Sequence, residues 1–418
     1  MFHAPLPRLT TILATTSKSM VDKLKKLGVL QEGFRPRRHR EVEPPRLNRF
    51  DSIARTTLDR VLKEQAGADP EGHYERLHEL IEDGAFERIL SDADGKVTDL
   101  IYTSLQQSAP KLVRSIRANE RRLEKTMREV WGQADEIFQA SNYIGYELGA
   151  DIARNNPHPS PKLRALLGAH GRALRTGSEV RQLAMSGFHD GAGARWRSLH
   201  ELAVLIDVLA KSDVEISERY LAYARIESWW DVKTFQEHAD ALGHHPFSDE
   251  DVDAAKTAAR EVTERWGLEM DKPHGWAFPL FPGQKAVRFT DLESLAGLSH
   301  MRPYYRLGNH HIHSGPRAGE LNYGDVTPRG TPAITVGASV FGDIAETCHG
   351  AMISVHHATA NLVVAHLSER DGKREGMGLD LLVGLKAQAR FVEDAGDLWS
   401  SAADEARLRG WFTHRPSD

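Results

Sequence analysis

Apolar residues recur at intervals of three and four over most of this chain, and a chain patterned that way buries them by packing helix on helix. Leu112, Ile116, Leu123, Met127 and Val130 make one such seam, broken at Asn119. Leu199, Leu202, Ile206 and Leu209 make a second, and Ile344, Cys348, Ala351, Val355, Ala358 and Leu362 a third. Only Ala333–Val336, with Ala338–Val340 beside it, reads as strand. The expected fold is therefore all-α, a multi-helix bundle with a short β-hairpin insertion.

Punctuation divides the pattern. Residues 1–48 are a basic, partly disordered arm: the first 60 positions hold thirteen Lys and Arg against six Asp and Glu, although the whole chain has a net charge of -5. Residues 49–156 form an N-terminal helical region. Pro157, Pro159 and Pro161 then make a linker that no helix can cross. Residues 161–370 are expected to be a C-terminal helical domain, with helices over 162–183, 195–210, 214–243, 249–267, 291–313 and 341–367. A glycine-rich break covers 186–193 and a proline- and aromatic-rich loop covers 272–284. Residues 371–418 close the chain as a charged helical tail.

The single cysteine, Cys348, forms no intramolecular disulfide and fits a reducing compartment. The opening MFHAPLPRLTTILATTSKSM lacks the apolar stretch of a signal peptide, and no window approaches about 18 apolar residues. A cytoplasmic location with no membrane partner is expected.

Two stretches carry residue types suited to chemistry. In Ala194–Leu202, Arg195 falls near the midline of the apolar stripe, so its guanidinium must be paired or bind an anion. Arg197 and Glu201 stand at i,i+4 and can form an ion pair; His200 shares an edge with Asp207. The preceding glycines leave the helix N-terminus open to a phosphate. The second stretch, Tyr304–Pro316, holds two tyrosines, Arg306, Asn309, His310, His311 and His313. Eight of the 21 histidines lie between His300 and His366. Histidine is the side chain best matched to proton transfer near neutral pH, though histidines at a helix C-terminus also simply complement the dipole.

Both stretches place a histidine a few residues after an arginine: Arg195 to His200, and Arg306 to His311 or His313. That pattern resembles the HEPN superfamily, helical proteins that include metal-independent ribonucleases of toxin and antiviral systems. The resemblance implies a histidine that moves a proton, an arginine that stabilises phosphate charge, and the RNA 2′-hydroxyl as nucleophile. Residues five apart diverge by about 140° on a straight helix, so Arg195 and His200 converge only through a distorted first turn or across a homodimer.

A wider likeness covers about residues 180–365. Arg197-Ser-Leu-His-Glu-Leu202, Glu218-Arg-Tyr220 and Tyr305 through His313-Ser-Gly resemble the bacterial family catalogued as domain of unknown function 5677. That likeness places Arg197, Glu201, Tyr305 and His313 at the family's signature positions.

A metal reading competes. Glu346-x-x-His349 has the carboxylate–histidine spacing of di-iron bundles, repeated in Glu75-x-x-His78. No Gly-rich phosphate loop, nucleophile elbow or His-Glu-x-x-His pair appears. The leading expectation is a cofactor-free, HEPN-like ribonuclease with candidate residues His313, Arg306, Arg195, His200, Arg197, Glu201 and Tyr305. Its expected partners are RNA and, through the arm, another protein. A non-catalytic helical interaction or sensor module is the alternative, and a metal-dependent helical enzyme with Glu346 and His349 as ligands the third. Because the arm is poor in apolar residues, deleting residues 1–48 should leave the melting temperature nearly unchanged while weakening salt-sensitive binding; a large drop in melting temperature would show that the arm packs.

Overall fold

The structure, a computed structural model, describes residues 85–310, 338–340, 344–369 and 375–411, with a few single positions between 312 and 333. The basic arm, Glu75, His78, His311 and Ser314 lie outside the described residues. The chain divides into two compact units, 1–116 and 117–418.

The helices are α1 (Ala85–Arg154), α2 (Pro161–Met185), α3 (His189–Lys211), α4 (Val214–His238), α5 (Asp249–Trp266), α6 (Phe289–Leu295), α7 (Arg302–His310), α8 (Ala345–Glu369) and α9 (Glu375–Leu408). Local chemistry sets their ends. Ser160 caps α2 by accepting from the Leu163 amide, with Pro161 at the first helical position. Ser248 does the same for α5, whose first turn is Asp249-Glu250-Asp251, matched to the positive end of the helix dipole.

In the second unit α2 and α3 pack side by side, and α8 lies against α2, α3 and α9. The core runs without a break from Met127, Trp131 and Phe138 of α1 through these helices to Trp399 of α9. Trp131 and Trp399 meet with ring centroids 5.8 Å apart. The proline linker exists as a non-helical turn at 155–160, yet it separates two helices of one core. The later part of α1 shares that core with the helices beyond the linker. Residues 375–408, expected as a charged tail, are a core helix: Leu381, Ala395 and Trp399 are buried. Charge on one face of α9 masked an apolar stripe on the other.

Two expectations need correction. The hairpin of Ala333–Val336 with Ala338–Val340 is not what the structure shows. Asp325–Val326 pairs with Pro332–Ala333 over two residues each, and 338–340 form no strand; residues 334–337 lie outside the described residues. The single helix over 291–313 is broken into α6, a short 3₁₀ turn at Ser299–Met301, and α7. Gly297 has φ 75°, a left-handed conformation that ends α6 and turns the chain back.

Three histidines of helix α8 are each tied to a different neighbour. His349 Nε2 lies 3.1 Å from the Val392 carbonyl, His356 Nδ1 3.0 Å from Gln388 Oε1, and His357 Nε2 3.0 Å from Asp207 Oδ1. Asp207 is buried and also takes Lys211 at 2.7 Å. Burial pushes its carboxyl up, but the His357 and Lys211 partners outweigh that and hold it below the usual range. From α2, His170 Nε2 lies 3.0 Å from Thr359 Oγ1; because the threonine hydroxyl donates to the Val355 carbonyl, the imidazole N–H is the donor.

Burial of His170 pushes its pKa down to about 4. The unfolded chain takes up this proton near pH 6.5 and the folded chain does not, so stability falls as pH drops from about 6.5 to about 4. His170 should cost the protein about 2 kcal/mol of stability between pH 7 and pH 5. Denaturant titrations of His170→Gln should show that much less acid dependence than wild type; an equal acid dependence would show that the ring titrates normally.

Candidate functional site

The polar face of α3 meets α6 and α7, and there the structure gathers charge. Arg197 and Glu201 form the expected ion pair, Nη2 to Oε1 at 3.0 Å. Tyr305 of α7 completes it: its hydroxyl accepts from Arg197 Nη2 at 2.7 Å and donates to Glu201 Oε1 at 2.7 Å. The Arg197 guanidinium also lies 4.8 Å from the Tyr305 ring centroid. The close approach rests on Gly308, one turn after Tyr305: a Cβ there would stand 3.2 Å from the Gly193 carbonyl and 3.4 Å from Arg197 Cβ.

Behind this triad lies a second group. His200 donates from Nε2 to Glu293 Oε1 at 2.8 Å, and Glu293 forms an ion pair with Arg302. His200 and Glu293 are each 1% exposed. Burial lowers the proton affinity of His200, although Glu293 pulls it upward. Trp196 stacks on the His200 ring at 5.7 Å, and Phe289 stacks on Tyr305 at 5.1 Å. Arg302 lies 5.2 Å from the Tyr305 centroid, so two guanidinium groups flank one phenol. Burial, then the Glu201 hydrogen bond, push the Tyr305 hydroxyl up to about 12. It stays protonated at neutral pH and serves as a donor, not as a base.

Besides the Glu293 and Arg302 atoms of that ion pair, three buried polar atoms here have no hydrogen-bond partner among the described residues: Trp196 Nε1, Arg197 Nε and Asn309 Oδ1. Natural interiors pair almost all such groups, so donors and an acceptor left over on the two facing helices mark a place that a ligand or water completes.

The other sequence candidates fall elsewhere. Arg195 and His200 do not converge: Arg195 pairs with Glu179 of α2, while His200 turns inward to Glu293. The straight helix keeps them apart, as the angular divergence requires. At the N-terminus of α3 the Ser339 amide donates to the Gly187 carbonyl at 3.0 Å, and the Ser339 carbonyl lies 2.8 Å from His189 Nε2. Arg306 and His313 are exposed on α7 and the turn after it. His313 lies three residues beyond the end of α7, and among the described residues no hydrogen bond or ion pair joins it to Arg197, Glu201 or Tyr305. Glu346 is exposed, while His349 is bound to the Val392 carbonyl and His357 to Asp207; these side chains diverge. Among the described residues no group of three or more His, Cys, Asp or Glu can hold a metal ion.

Sequence reading missed Glu293, Arg302 and His274. Glu293 was visible only as one carboxylate in a charged segment, and its burial depends on the break at Gly297. His274 lies in the 272–284 loop, half-buried, and feels the charges of Glu201 and Asp291.

Removing the carboxylate of Glu293 leaves a buried arginine and histidine without their partner, which typically costs about 3–5 kcal/mol. Glu293→Ala should therefore lower unfolding stability by that order, with Glu293→Gln in between because it keeps a hydrogen-bond acceptor. A loss below about 1 kcal/mol in denaturant titration would show that this pairing is not structural.

No curated protein and no solved structure matches the chain. Residues 163–329, which contain Arg197, His200, Glu201, His274, Glu293, Arg302 and Tyr305, match a family of unknown function, DUF5677.

Proposed function

We propose that the protein is a metal-independent, HEPN-like ribonuclease whose working groups are Arg197, Glu201 and Tyr305. The observation that carries this reading is the convergence of those three side chains, with Arg197 Nε and Asn309 Oδ1 left buried and unpaired beside them. The outer face of α7 suits a nucleic acid. Tyr304 is exposed and offers a ring for base stacking, and exposed Arg306 offers a charge for the phosphate backbone.

The chemistry is a transesterification. The RNA 2′-oxygen attacks the adjacent phosphorus as its proton passes to a solvent water, and the bond to the 5′-oxygen breaks, leaving a 2′,3′-cyclic phosphate. Arg197 holds the non-bridging oxygens as charge builds on them. Tyr305, protonated at neutral pH, gives its proton to the departing 5′-oxygen, and Glu201 holds the phenol in place. The step needs no metal because the nucleophile is the RNA's own hydroxyl.

A second reading has its own support. Glu293, His200 and Arg302 are already paired inside the fold, and the histidines of α8 are dispersed among separate partners. Such an arrangement also serves a non-catalytic helical interaction or sensor module.

Purified protein should cleave RNA in EDTA to products ending in cyclic phosphate. Arg197→Ala should slow cleavage by about 10² to 10³, and Tyr305→Phe by at least about 10², in proteins that remain folded. A toxin or defence role adds growth arrest on expression, relieved by the same variants. Intact RNA after prolonged incubation with folded wild type would favour the module.

A further inference from the structure

We propose that the cleft between α1 and the C-terminal end of α2 holds one nucleotide of a single-stranded RNA, with its phosphate on Arg117 and Arg121 and its base on Phe188; the choice of RNA rests on the ribonuclease reading of the Arg197–Glu201–Tyr305 cluster.

The cleft has a volume of about 370 Å³, a size that suits a small organic group. Arg117, Glu120, Arg121, Glu124 and Arg128 recur at three and four, so they share one face of α1 and form a charged wall. Part of that charge is already committed. Arg128 pairs with Glu124 at 2.8 Å, and Arg181 of α2 grips Asp135 with Nε at 2.5 Å and Nη2 at 2.7 Å. Arg117 and Arg121 are exposed and have no ion-pair partner among the described residues. Glu120 is the lining carboxylate that the two pairs leave over. Residues 117–128 carry five Arg and Lys against two Glu, so the field over this wall is positive and favours an anion.

Apolar groups complete the lining: Leu123, Met185 and Phe188, whose ring is 45% exposed. Backbone geometry fixes that ring. Helix α2 ends at Met185, and Gly187 turns the chain with φ 80°. A Cβ on Gly187 would stand 2.6 Å from the Ser339 carbonyl and 2.9 Å from Leu123 Cδ2, so only glycine brings the end of α2 this close to α1. The Gly187 amide donates to the Ala184 carbonyl at 3.0 Å and the Phe188 amide to the Leu183 carbonyl at 2.8 Å. A ring set on a closed turn loses little freedom when a base stacks on it. Two arginines beside an exposed ring match the alternation of phosphate and base along a single strand. A duplex keeps its base faces stacked inside, and an acidic peptide offers carboxylates to the arginines but nothing flat to Phe188. The cleft and the cluster share α3, with Phe188 at its N-cap and Arg197 in its third turn. The cleft therefore anchors the strand away from the bond that breaks.

The test titrates full-length protein against a fluorescently labelled 2′-O-methyl oligouridylate at several salt concentrations; this RNA lacks the nucleophilic hydroxyl and stays intact. Arg117→Gln combined with Arg121→Gln should weaken binding about tenfold or more. It should also flatten the slope of log affinity against log salt by about 1.4, two single-strand phosphate contacts at about 0.7 each. Phe188→Ala should weaken binding about fivefold or more and leave the slope unchanged. All three side chains are exposed, so these variants should melt like wild type. Lys256→Gln, on the exposed side of α5, should bind like wild type. Unchanged affinity and slope in the double variant, or unchanged affinity in Phe188→Ala, would overturn the cleft while leaving the ribonuclease reading intact. A comparable loss of slope in Lys256→Gln would overturn it as well. So would a polyglutamate peptide that binds as tightly as the RNA and ignores Phe188→Ala, since charge alone would then account for the attraction. A protein that binds through these residues and never cuts RNA would overturn the ribonuclease reading and leave the cleft standing.

Discussion

Glu293 is a carboxylate placed almost entirely out of water, and such a charge persists only where partners replace the lost solvation. His200 of α3 supplies one hydrogen bond and Arg302 the opposite charge. Arg302 begins α7, and α7 returns to α3 only because Gly297 ends α6 in a left-handed turn. That return sets Tyr305 against Arg197 and Glu201. The buried pairing and the more open triad are thus two layers of one junction: the inner layer fixes the angle of α7, and the outer layer presents its polar groups.

Helix α3 connects that junction to the rest of the unit. Its apolar side, with Leu199, Ile206 and Leu209 fully buried, packs among α2 and α8. Its polar side carries Arg197, His200 and Glu201. Groups mounted on a helix clamped from behind lose little further freedom when they act together, which is the preorganisation that electrostatic stabilisation requires. Asp207, farther along α3, is tied to Lys211, His357 and Asn361 and fixes α8 instead.

The crowd of histidines between His300 and His366 has two explanations. Those of α8 bridge to α3 and α9, where an imidazole fills apolar space and still satisfies a carbonyl, an amide or a carboxylate. His310 and His313 lie at the end of α7 and beyond it, where a helix C-terminus favours them. Neither group joins the Arg197–Glu201–Tyr305 cluster.

Local periodicity by itself determined the helical class, the seams of α3 and α8, and the Arg197–Glu201 pair. Each depends on residues within a turn or two of one another, and helix geometry fixes their relation wherever the helix lies. The same geometry sets Arg195 and His200 apart. Only the tertiary structure decided that Tyr305 closes on Arg197 and Glu201 across more than a hundred residues, that Glu293 is buried, and that α9 is core rather than tail. Those outcomes depend on where a chain break at Gly297 sends the next helix and on which faces other helices cover. A contact between distant segments forms when burial and pairing outweigh the cost of desolvation, and a one-dimensional pattern holds the residues of that balance without their positions.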